Sequence, residues 1–144
     1  MKIETTILKN LLQNEEYARK VLPFLNDEYF TENSDKIVFN QINNFILKYN
    51  SLPNKEALTI ELSDAKITEE DFKDSANLVT AISEDIQEFA DLTWLLDSTE
   101  KFCQDKAIYN AVVESISILD NPKSITDKGA IPDILSDALS VSFD

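Results

Sequence analysis

Apolar residues recur along this chain at the spacing of helix faces, and strict alternation is rare. In "KIETTILKNLLQ", Ile3, Ile7, Leu8, Leu11 and Leu12 fall on one helical stripe. "EEYARKVLPFL" predicts a short second helix, capped by Asn14 and broken around Pro23. After the "NDEYFTEN" connection, Ile37, Val38, Ile42, Phe45, Ile46 and Tyr49 mark a helix from about residue 34 to residue 49. "NSLPNKEALTIEL" supplies Pro53 and an Asn54 N-cap for a short helix carrying Leu58 and Leu62. Thr68 followed by Asp71 has the form of a variant capping box, and Phe72, Ala76, Val79 and Ile82 make the buried side of the helix it opens.

The longest predicted helix covers about residues 91 to 120, with no proline or glycine inside it. Its first half shows a stripe at Leu92, Leu95, Leu96, Thr99, Phe102 and Cys103. Its second half widens, because Ile108, Tyr109, Val112, Val113, Ile116 and Leu119 cover more than a coiled-coil seam needs. Such a surface requires partners on more than one side. "NPKSITDKG" reads as a polar turn in which Gly129, the single glycine, lets the chain reverse. A return helix at about 131 to 143 follows, with Pro132 in its first turn and Ile131, Ile134, Leu135, Ala138 and Leu139 on one face. The expected fold is all-α: a helical bundle over residues 1–90 and a helical hairpin over residues 91–144, together one domain. Whether the hairpin packs on the bundle or projects from it is left open by the sequence, as is the direction in which Val141 and Phe143 point.

Composition narrows the chemistry. The 144 residues include no histidine, which removes the commonest general base and the commonest transition-metal ligand. With one glycine the chain cannot build a phosphate-cradling loop. Cys103 has no second cysteine to pair with and reads as a buried thiol. Only carboxylate chemistry survives, at "TEEDF" (68–72) and "SEDIQE" (83–88), and acidic residues at such positions also serve to complement helix dipoles. No catalytic, cofactor-binding or metal-ligating residue is therefore assigned. A net charge of −14 repels phosphate backbones, so direct DNA binding is not expected. No apolar run approaches the length of a membrane span, and no signal core opens the chain; a cytoplasmic location is expected.

The order of these motifs resembles the N-terminal domain of DnaB-family replicative DNA helicases, most closely those of the T-even-type bacteriophages. "IETTILKNLL" is similar to the family's E-x-x-V-L-G-x-x-L opening, with Glu4, Ile7, Leu8 and Leu12 in place and Lys9 where the family has glycine. "DEYF", "IVFNQI", "LPNKEAL" with Leu62, and "KGAIPDILSDALSVSFD" follow in the family's order. The resemblance implies an oligomerisation and protein-docking domain of a hexameric helicase, one that helps form the collar of the ring and meets the primase during DNA replication. ATP and Mg2+ would be bound by an ATPase domain that this chain does not contain, and the chain would end where a linker to that motor begins. If phage-encoded, its compartment would be the host cytoplasm. Carried onto this sequence, the hairpin's self-association surface is Tyr109, Val112, Val113, Ile116, Ile134, Leu135 and Leu139. The rival reading is an acidic inhibitor that imitates DNA. It requires carboxylates in phosphate-like rows, whereas here they are spread over the outer sides and starts of most helices.

Overall fold

In a computed structural model, which describes residues 2–85, 90–121, 123 and 126–144, the chain is all-α. Among the described residues there are seven α-helices and no strand: α1 (Ile3–Gln13), α2 (Glu15–Val21), α3 (Asn33–Tyr49), α4 (Lys55–Asp64), α5 (Glu69–Glu84), α6 (Leu92–Asp120) and α7 (Ile131–Leu139). Single 3-10 turns stand at Leu22–Phe24, Asp27–Tyr29 and Lys128–Ala130. Residues 86–88 of the second acidic cluster, and residues 122, 124 and 125 of the expected polar turn, lie outside the described residues.

The helix starts follow from short polar side chains. Asn14 Oδ1 accepts from the Tyr17 N–H, Asn54 Oδ1 from Ala57, Thr68 Oγ1 from Asp71 and Asp91 Oδ1 from Trp94, each satisfying a donor that the first turn leaves free. Pro23 lies inside the 3-10 turn that ends α2, as a residue without an N–H must when a helix breaks around it. The stop of α3 is Asn50, the one non-glycine residue with positive φ among those described (54°), where a short polar side chain tolerates the left-handed region.

α1 is the axis of the core. It packs against α2, α3, α5 and α6, and six successive residues from Ile7 to Leu12 are buried. The stripe read from sequence is thus wider in the fold, and it takes in two polar residues that need partners. Lys9 Nζ meets Asp85 Oδ2 at 3.1 Å, and Asn10 Nδ2 donates to the Thr6 carbonyl. Gln13 Nε2 donates to the carbonyls of Ile82 and Asp85, capping the end of α5.

The "DEYF" segment is a bracket between α3 and α6. Phe30 is fully buried, with its ring 5.2 Å from Phe39 and 5.6 Å from Phe102. Asp27 holds the segment down by accepting from Asn40 Nδ2 through its side chain and from Lys36 Nζ through its carbonyl, both at 3.0 Å. Tyr17 from α2 reaches Thr99 of α6 at 2.6 Å. Because the Thr99 hydroxyl donates to the Leu95 carbonyl, it receives the phenol's proton, which burial holds more tightly than in an exposed tyrosine.

Candidate subunit interface

The two halves of α6 have different surroundings. Leu95, Phe102 and Cys103 belong to the main core, and burial together with the nearby Glu100 carboxylate pushes the Cys103 thiol up to about 12. That thiol is a packing group at neutral pH. Past Asn110, whose Nδ2 donates to the Glu28 carbonyl, the helix runs on for ten residues, about 15 Å at 1.5 Å per residue.

α7 covers one side of this second half. Ala111, Ser115 and Ile118, spaced i, i+4, i+7, are buried, and the small Ala138 of α7 is buried with them. The return strand of chain is tied at its far end: Gln104 Nε2 donates to the Val141 carbonyl, the Phe143 N–H donates to Glu100 Oε2 at 2.7 Å, and the Phe143 ring stacks on Phe24 at 4.6 Å. α7 therefore runs antiparallel to α6. The helix stops at Leu139, four residues before the end expected from the sequence, because Val141 and Phe143 leave it to pack on the core.

The other side of α6 is bare. Ile108, Tyr109, Val112, Val113, Ile116 and Leu119 are 38 to 64% exposed, an apolar stripe about three turns long at 3.6 residues per turn, with the Lys106 ammonium 5.8 Å from the Tyr109 ring at its start. Four of the seven residues proposed from sequence, Tyr109, Val112, Val113 and Ile116, come together here. Leu139, 72% exposed, stands at the end of α7. Ile134 and Leu135 are half-buried, and Ile134 lines the crevice between α7 and Tyr29. Ile108 and Leu119 extend the stripe and were legible in the same periodicity.

Gly129 requires a correction. It lies within the 3-10 turn Lys128–Ala130 with no positive φ, and among the described residues a Cβ there would meet only the Asp127 carboxylate at an ordinary 3.6 Å. The reversal does not depend on glycine's freedom. Among the described residues no cluster of metal-ligating side chains occurs, and no helix is long and apolar enough to cross a membrane.

A second surface was not anticipated. Between the end of α2 and the last turns of α3 runs a groove of about 570 Å³, walled by Leu22, Pro23, Ile46 and Leu47 and rimmed by Arg19, Asn43 and Asn50. Leu47, off the core stripe of α3, is 75% exposed. Its place one residue after the buried Ile46 was the available signal.

No protein-family model matches the chain. It is similar to a DnaB-like replicative helicase of Enterobacteria phage T4, with 34% identity over 146 residues. That alignment covers 96% of this chain and 30% of the helicase, so the chain spans less than a third of its relative's length. The relationship to DnaB-like replicative helicases to which the motifs pointed holds along nearly the whole chain, and the chain corresponds to one region of such a protein.

Proposed function

We propose, from the kinship with a DnaB-like replicative helicase, that this chain is the N-terminal oligomerisation and docking domain of a hexameric replicative helicase. In this reading it contributes to the collar of the ring and offers a surface to the primase. The observation that carries self-association is the bare stripe on α6. A soluble monomer rarely leaves more than a few hundred Å² of contiguous apolar surface uncovered. Each half-exposed Val, Ile or Leu there still has on the order of 1 kcal/mol to gain from burial. Association through such a stripe is driven by the hydrophobic effect, while the net charge of −14 suppresses unselective contacts. Nucleotide hydrolysis and its ATP and Mg2+ belong, in this reading, to parts of the helicase outside this chain. Primase docking rests on the kinship alone.

The test is sedimentation velocity of the chain over a wide concentration range, beside Val113→Glu. The wild type is expected to associate and the variant to remain monomeric with an unchanged circular dichroism melt, since Val113 is half exposed. A wild type that stays monomeric at the highest concentration, indistinguishable from the variant, refutes the reading.

A further inference from the structure

α7 is nine residues long, and isolated helices shorter than about 12–15 residues are marginal in water, so it stands only while it is held. It packs on α6 and on the 3-10 turn before it, and Ala138 alone of its residues is buried. Among the described residues, none of its side chains forms a hydrogen bond or ion pair with another element. Its fastening lies in the tail behind it. The Val141 carbonyl accepts from Gln104, the Phe143 N–H donates to Glu100, and the Phe143 ring stacks on Phe24. All three anchors are side chains, and each loses a single contact when the tail leaves.

We propose that α7 and residues 140–143 are a latched cover, which opens as one unit while the rest of the fold stays closed. Opening uncovers the Ala111, Ser115 and Ile118 side of α6. Segments with few buried contacts open in this way, at a lower free energy than the whole molecule.

The covered face is suited to being uncovered. Ser115 Oγ donates to the Ala111 carbonyl within α6 at 2.7 Å, so its hydroxyl keeps a partner when α7 leaves. The Val141 carbonyl and the Phe143 N–H exchange their side-chain partners for water. With the cover open, Ala111 and Ile118 join the stripe from Ile108 to Leu119, and the second half of α6 is apolar on two sides. The latch thus sets how much apolar surface this helix offers, whatever meets the bare stripe.

A thiol placed under the cover reads its opening. Ser115→Cys puts a group of similar size beneath α7, and the native Cys103, buried in the main core, is the internal reference. Both are labelled with a thiol reagent at low protein concentration, beside a chain carrying Leu47→Cys as a freely exposed thiol. The thiol at 115 is expected to react at least about tenfold faster than Cys103, and at least about tenfold slower than the thiol at 47. Phe143→Ala is expected to speed the reaction at 115 by about tenfold, through the lost stack and its burial. Val79→Ala, in the core on α5, is expected to speed the reaction of Cys103 and leave that at 115 unchanged, because only global unfolding breaks its contacts. Ile118→Cys repeats the measurement at a second covered position, so a packing defect particular to residue 115 does not decide the result. If both covered thiols react at the rate of Cys103, with Val79→Ala speeding all of them equally, the cover opens only by unfolding and the proposal is overturned. Covered thiols that react as fast as the one at 47, or whose rates ignore Phe143→Ala, overturn it as well. None of these outcomes depends on Val113→Glu, which tests the bare stripe alone.

Discussion

Lys9 is buried in the central helix with Asp85 3.1 Å from its ammonium. One charged residue in a core is thus sustained by one partner just past the end of α5, a pairing invisible in a sequence stripe. Among the described residues Asp35 has no such ion-pair partner. It is buried in the first turn of α3, and burial first, then the carboxylates of Glu4 and Glu32, raise its pKa against a small opposing pull from Lys2. A raised folded-state value means that the folded protein binds the proton more readily than the unfolded chain. The cost is therefore fully present at neutral pH and disappears as pH falls below the ordinary aspartate range. Asp35→Asn is expected to raise the melting temperature at about pH 7, with the gain vanishing near pH 3. A pH-independent difference between the two melts would refute this account. At Gly129 the backbone is one that any residue can adopt, and among the described residues a Cβ makes only ordinary contact with the Asp127 carboxylate. Gly129→Ala is expected to stabilise by about 0.4–1 kcal/mol in denaturant titration, through lost freedom of the unfolded chain. A loss of stability there would show that the turn needs glycine after all.

Among the elements, the helices were legible where a cap and a periodic stripe coincided. Asn14, Asn54 and Thr68 accept the N–H groups expected of them, because capping is decided within four residues. The end of the return helix was not legible. The stripe of α7 continues in sequence to Val141, but those last side chains gain more by packing on the core than by extending the helix, and only the fold brings Phe24 and Glu100 within their reach. The tail is thereby a fastening for the hairpin. Phe143→Ala is expected to cost about 1–3 kcal/mol, from the lost stack and lost burial, and to speed hydrogen exchange in α7 before the rest of the molecule. Uniform loss of protection across α1 to α7 would show that the tail has no local role.

In the whole molecule, a single core built around α1 reaches Cys103 on α6, and the hairpin continues α6 past that core. The periodicity that produced a broad apolar face on α6 stated only that two sides of the helix needed cover. Tertiary structure divided them: α7 lies on Ala111, Ser115 and Ile118, and the Tyr109 to Leu119 side is left exposed. The groove between α2 and α3 is the opposite case. Its walls come from residues more than twenty positions apart, so no local pattern announces it, and Leu47 alone hints that something apolar faces outward. By itself the sequence determined what depends on neighbours along the chain: helix content, caps, the core stripes, and the absence of histidine and of glycine-rich loops. The folded structure decided which apolar faces satisfy one another and which remain. Burial is a property of the packed arrangement, and an amphipathic stripe carries no record of whether its partner lies in its own chain or in the next.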